Sequence, residues 1–163
     1  MGYTTDFDGE FRTDRPVDKK TYDILEGLNQ TRRMKRSGLP AEYGVDGEFY
    51  FEDEENYGQS HTPSKGHIVD YNEPPSTQPS LWCQWQIKDD RQTIDWDGGE
   101  KFYEYIAWIK YLAQKVLAPA GYLLNGKVEW QGEDSNDAGL IEVVDNKVFV
   151  AKAERSFTNR QEI

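Results

Sequence analysis

The chain has 163 residues, 36% of them hydrophobic, one cysteine and a formal net charge of −11. That length favours one domain, which should bury roughly 70% of the surface an unfolded chain exposes. A lone cysteine excludes an intramolecular disulfide framework, and so acidic a chain repels a nucleic-acid backbone, so no direct nucleic-acid binding is expected.

With so little apolar content the core must lean on its 5 Trp, 10 Tyr and 7 Phe, each able to bury about 150–250 Å². The charge is unevenly placed: residues 41–100 hold 14 acidic and 3 basic side chains, while the segments on either side are nearly balanced. Such a field attracts cationic partners. The opening "MGYTTDFDGEF" lacks the apolar stretch of a secretory signal and matches a myristoylation signal only loosely. No apolar run approaches the ~18 residues needed to span a bilayer. A cytoplasmic protein without membrane attachment is expected.

Taken in chain order, "GYTTDFDGEFRTD" alternates and reads as a strand, with Tyr3, Thr5, Phe7, Gly9 and Phe11 on one face and Gly9 a candidate bulge. Asp18 then caps a helix from about Lys19 to about Arg36, with Tyr22, Leu25 and Leu28 as its apolar stripe. At its end Arg32 and Arg33 join Lys35 and Arg36 in a basic cluster, which suits the helix dipole or a partner. "GEFYFE" reads as a short strand, Glu48 to Glu52, running into the acidic block Glu52, Asp53, Glu54 and Glu55. Residues 53–80, with four prolines, read as a long loop, which in a compact domain is functional or mobile.

"SLWCQWQI" and "QTIDW" form a hairpin around "KDDR". Leu81, Cys83, Trp85 and Ile87 share its core face, leaving Trp82 exposed. "DWDGGEKFYEYIAWIKYLAQKVLAPAGY" is the clearest helix, capped by Asp97 and ended by Pro119 and Gly121. Its stripe is Phe102, Tyr105, Ile106, Ile109, Leu112, Ala113 and Val116, with Trp108 flanking it and Tyr111 pointing away. "YLLNGKVEWQG", "LIEVVD" and "KVFVAK" are three strands, the last two joined by a tight turn at "DNK". The pattern predicts an α+β domain over residues 1–152, a mainly antiparallel sheet with two helices packed on it, and a polar tail over 153–163.

Several of these strings, "TRRMKR", "GEFYF", "DYNEPPSTQPSLWCQW", "IDWDGGEKFYEYIAWIKYL" and "LNGKVEWQGEDSNDAGLIEVVDN", resemble a small family of uncharacterised proteins found in bacteria and their tailed phages. The match runs from "GYTTDF" to "DNKV" and omits "EDEEN" and the tail after Lys152. The resemblance implies a cytoplasmic protein, mobile-element or phage-encoded, and brings no catalytic residues.

Two carboxylate-rich stretches are candidate sites. In "VEWQGEDSNDAGLI", Glu133, Asp134 and Asp137 lie where the chain must turn between strands. From Asp134 the spacing also partly echoes a calcium loop through Asn136, Gly139, Glu142 and Asp145, but Ala138 and flanking strands argue for a hairpin with solvated acids. In "DWDGGEKF", Asp95 and Asp97 precede a helix start; paired carboxylates for acid–base or metal work are one reading, a strand-to-helix turn the other. The Gly-Gly lacks the Lys-Ser/Thr of a phosphate loop, and neither a metal nor a cofactor is expected.

The function expected is that of an acidic accessory protein, not an enzyme, that binds another protein, in a phage–host or anti-defence setting. Glu52, Asp53, Glu54, Glu55, Arg32, Arg33 and Trp82 are its candidate partner-binding residues. The competing expectation is a small-molecule or nucleotide binder, or an enzyme, in which Trp82, Tyr57, Tyr71, His61, His67, Asp95 and Glu133 converge on one pocket.

Overall fold

The computed structural model describes residues 2–51 and 66–163. The acidic block Glu52–Glu55, Tyr57 and His61 lie outside the described residues. The architecture is α+β, a six-stranded antiparallel sheet with two helices. In chain order the elements are β1 (Thr5–Thr13), α1 (Lys19–Gln30), β2 (Lys35–Ser37), β3 (His67–Asp70), β4 (Trp85–Ile87), β5 (Thr93–Trp96), α2 (Tyr105–Tyr111), β6 (Leu124–Gly132), β7 (Ala138–Val144) and β8 (Lys147–Lys152). The large sheet runs β4-β5-β1-β6-β7-β8, and β2 and β3 make a separate pair. Residues 153–163 add no further element and are exposed. No helix among the described residues is long and apolar enough to cross a membrane.

Alternation decides the faces of the sheet. Phe11, Leu124, Val128, Trp130, Ile141 and Val143 are buried beneath the helices. Their neighbours Asp6, Asp8, Glu10, Lys127 and Glu129 stand exposed on the other side. The β1–β6 register is unbroken from Thr5↔Gly132 to Thr13↔Leu124, so Gly9 marks no bulge. Gly9 is needed for another reason: at φ 120° it lets β6 come so close that a Cβ would sit 2.3 Å from the Lys127 carbonyl oxygen. The final hairpin turns on Asp145 and Asn146, both at positive φ (46° and 69°), as a tight two-residue turn requires.

Helix α1 begins as expected, with the Asp18 carboxylate accepting from the Thr21 N–H at 2.8 Å. It ends at Gln30 rather than near Arg36. The Thr31 hydroxyl donates to the Gly27 carbonyl at 2.7 Å, and the chain then turns extended. Main-chain bonds from Arg33 to Leu81 and from Lys35 to Glu73 carry residues 32–37 away as a strand-like run. Gly27 admits Phe51, whose ring lies 2.4 Å from where a Cβ would stand.

Three further expectations are corrected. Residues 48–51 form no strand; "GEFYF" follows two short 3-10 turns, Ala41–Tyr43 and Val45–Gly47, because Glu48 and Tyr50 turn inward around Arg33. Part of the expected long loop is strand β3, paired with β2. Helix α2 starts at Tyr105, after Glu104 at φ 58°, and Asp97 bonds the Gly99 N–H instead of capping it. Beyond Tyr111 the coil widens into a π-turn over Leu112–Leu117. Trp108 and Tyr111 are both buried, while Tyr105 and Ile106 are only half-buried. Of the expected core face Cys83, Trp85 and Ile87 are buried, but Leu81 and the expectedly exposed Trp82 are both half-buried, because the strand itself spans only Trp85–Ile87 and the chain before it leaves the sheet.

Candidate functional site

The chain on either side of the undescribed segment is pinned by a buried arginine. Arg33 is 2% exposed, so it belongs to no surface basic patch. Its Nε donates to Gln78 Oε1 at 3.1 Å and its Nη1 to Thr31 Oγ1 at 2.6 Å. Its terminal nitrogens also reach the carbonyls of Gly47, Glu48 and Tyr50 at 2.9–3.2 Å. The Gln78 amide donates on to the Glu48 carbonyl at 2.7 Å and to the Tyr111 hydroxyl at 3.2 Å. The Tyr111 hydroxyl donates to the Glu48 carboxyl. Burial lowers the Arg33 pKa to about 10, leaving it charged at neutral pH, and raises that of Tyr111. A guanidinium suits this role because its planar fork serves several carbonyls at once.

On that support lies an open groove of about 800 Å³. Pro74, Leu81, Trp82 and Tyr103 give it apolar surface, and Arg32, Lys101 and Glu100 give it charge of both signs. Arg32 stacks 4.1 Å above the Tyr71 ring and donates to the Tyr71 carbonyl at 3.1 Å and to Asn72 Oδ1 at 3.3 Å. Trp82 is half-buried, and Tyr103 is 49% exposed. Ser80 anchors the wall by accepting from Trp108 Nε1 at 2.7 Å. Lys101 and Glu104 both sit at positive φ (59° and 58°). These two kinks bury Phe102 and turn its neighbour Tyr103 outward. Non-glycine residues in that region cost of order 1–3 kcal/mol each and cluster at ligand sites.

Two of the expected binding residues, Arg32 and Trp82, thus meet in one groove. Among the described residues the convergence expected for a small-molecule site does not form beyond Trp82 and Tyr71, which Arg32 links. Asp95 pairs with Lys88 at 3.1 Å and with Gln86 on the sheet's exposed face, and His67 is exposed on β3. Asp97 is held by the Asn29 amide at 3.0 Å, in a smaller hollow that shares Trp82.

The acids of the β6–β7 turn are structural, not merely solvated. Glu133 accepts from the Thr4 N–H at 2.8 Å. Asp137 accepts from the Tyr3 hydroxyl at 2.8 Å and from Trp130 Nε1 at 2.9 Å. Asp134 closes the turn on the Asn136 N–H at 2.9 Å. The calcium-like spacing cannot assemble, because β7 runs extended from Ala138 to Val144 and separates Asp134 from Asp145 by about 20 Å. Among the described residues no group of three or more His, Cys, Asp or Glu is placed to hold a metal ion. Burial pushes the Cys83 thiol up to about 12, so it is no nucleophile at neutral pH.

Lys101 and Tyr103 are groove residues that the sequence pattern misses. The available signal is "FY": adjacent aromatics beside a Gly-Gly turn cannot both enter the same core. Comparison with protein-family models, curated proteins and solved structures finds no match to this chain.

Proposed function

We propose that the chain is an acidic accessory protein, bacterial or phage-encoded and cytoplasmic, that works by holding another protein in the groove of Trp82, Tyr103 and Arg32. The observation that carries this reading is the pairing of two accessible aromatics with an arginine on a strained, well-anchored wall. Tryptophan, tyrosine and arginine are the side chains over-represented at the energetic centres of protein interfaces. The excess of carboxylates over residues 41–100 supports a cationic partner and opposes nucleic acid. A photo-crosslinking residue at position 103 should capture a discrete protein partner from cells of the native host, and the same residue at position 149 should not. Equal capture at both positions, or none at 103, contradicts the reading.

A small organic ligand is the second reading. It rests on the groove's volume, which lies within the ~300–1,000 Å³ common for such sites. A thermal upshift with a metabolite set, abolished by Trp82→Ala, would favour it over a protein partner.

A further inference from the structure

We propose that the partner, on the protein-binding reading above, enters the groove as a proline-rich segment in the polyproline II conformation, with a lysine or arginine at one end. The groove's unused hydrogen-bond donors carry this. Of the five tryptophans, four give their indole N–H to an acceptor: Trp85 to Tyr105, Trp96 to Gln84 and Gly99, Trp108 to Ser80, and Trp130 to Asp137. Trp82 gives its own to no acceptor among the described residues. Nor is that group sealed in. Among the described residues Thr77 Oγ1 alone is a side-chain polar atom buried without a partner, so the Trp82 N–H reaches solvent. Two more donors stand ready beside it. The Tyr103 hydroxyl accepts from the Tyr3 N–H at 3.1 Å and donates to no described residue. Arg32 commits Nε and Nη2 to Tyr71 and Asn72 and leaves Nη1 without an acceptor among the described residues.

The neutral side-chain acceptors of the same wall are taken. Asn72 Oδ1 receives Arg32, Ser80 Oγ receives Trp108, and Gln84 Oε1 receives Trp96 at 3.2 Å. An ordinary extended segment brings an N–H with every carbonyl, and covering those N–H groups here would leave them without acceptors, which disfavours binding. Proline brings the carbonyl alone. Its ring suits the walls of Trp82 and Tyr103, and a polyproline II segment is extended before it binds, so it loses little freedom. Aromatic-lined grooves recognise proline-rich chains in this way. Charge sets the flank of the segment. Past Trp82 the groove runs into the hollow of about 440 Å³, which shares Trp82, Gln84 and Glu100 with it. Arg32 and Lys101 line the groove alone, whereas Glu100 and Asp97 line the hollow and no cation does. The Glu100 carboxylate has no hydrogen-bond or ion-pair partner among the described residues. Prolines laid over Trp82 and Tyr103 thus turn carbonyls toward the indole N–H and Arg32, and set a cationic flanking residue beside Glu100.

The test uses the intact chain and blocked oligoproline peptides carrying one arginine at either end. Controls are the same peptides made of D-amino acids, glycine–serine peptides with the same arginine, and plain oligoproline. Calorimetry gives the affinities, and NMR follows the indole N–H signals, with that of Trp82 assigned from Trp82→Phe. One of the arginine-bearing L-peptides should bind at least about tenfold more tightly than its glycine–serine counterpart and should shift the Trp82 indole signal while the four bonded indoles stay in place. Trp82→Phe, which keeps a ring and removes the donor, should weaken that peptide several-fold. Glu100→Gln should abolish its advantage over plain oligoproline. Equal binding of the D-peptides or the glycine–serine peptides, no binding of any proline peptide, or indifference to Trp82→Phe overturns the proposal. A protein crosslinked from position 103 through a segment without proline overturns it too and leaves the protein-binding reading standing. No protein captured from position 103 overturns both.

Discussion

Replacing Arg33 by Met removes the guanidinium and keeps an apolar stem of similar length. Two acceptors then lose their donor outright: the Tyr50 carbonyl, which both terminal nitrogens serve, and Gln78 Oε1. The Gly47 and Glu48 carbonyls keep bonds from the Tyr50 N–H and the Gln78 amide. An orphaned buried acceptor costs about 1–3 kcal/mol, so two give about 2–6. Relief of the guanidinium's desolvation offsets part of that, but Glu48, 7% exposed, is left without its nearby positive charge. Breaking such buried arrangements from one side costs about 3–5 kcal/mol, and that is the expected loss. Tyr111→Phe removes two bonds, the one to the Glu48 carboxyl and the one from the Gln78 amide, which keeps the Glu48 carbonyl, and should cost about 1.5–3 kcal/mol. The two substitutions share Gln78 and Glu48, so their double mutant should depart from additivity by at least about 0.5 kcal/mol. Urea denaturation followed by tryptophan fluorescence measures all three variants. A loss below about 1 kcal/mol for Arg33→Met, or strict additivity, would refute the account of this network.

Three other outcomes follow from the same geometry. Cys83, 1% exposed with its thiol raised to about 12, should resist a thiol reagent in the native protein and react fully in denaturant; fast native labelling would contradict its burial. Asp90 accepts from Thr93 Oγ1 and from the Gln92 and Thr93 N–H groups, which hold its carboxyl down at about 2 against an ordinary 3.8. Its contribution is complete above about pH 4 and disappears as pH falls through about 2, so the advantage of wild type over Asp90→Ala should shrink across that window in urea titrations. Asn146 bonds the Tyr122 carbonyl and the Leu124 N–H, both at 2.7 Å, from a positive-φ position. Asn146→Ala should cost about 1–3 kcal/mol, whereas Asn146→Gly, which relieves the backbone but also loses both bonds, should cost less.

What could be read in advance was what local periodicity encodes. The β1 alternation, the Asp18 cap, the core face of Cys83, Trp85 and Ile87, and the three C-terminal strands all follow from spacing and turn chemistry. The misreadings arise where distant chain overrides local preference. "TRRMKR" has helical propensity, yet Arg33 gains its partners only where 45–51 and 78 close over it. "GEFYF" alternates like a strand but serves that same arginine. Glu133 and Asp137 look like surplus turn acids until Tyr3 and Thr4, more than a hundred residues away in sequence, are laid against them. Trp82 and Arg32 were identifiable singly, as an aromatic off the core face and as one base of a cluster, although both are half-buried in the structure. Their meeting depends on the path of residues 71–81, which no period specifies.

The central claim is that the Trp82 groove holds a protein partner. Its most direct test is calorimetric titration of the partner captured from position 103 into three proteins: wild type, Trp82→Ala and Phe149→Ala. Trp82→Ala should weaken binding by at least about 30-fold, the roughly 2 kcal/mol of an interface hot spot, while Phe149→Ala stays within about twofold of wild type. Equal affinity for wild type and Trp82→Ala, with both proteins folded, would contradict the account.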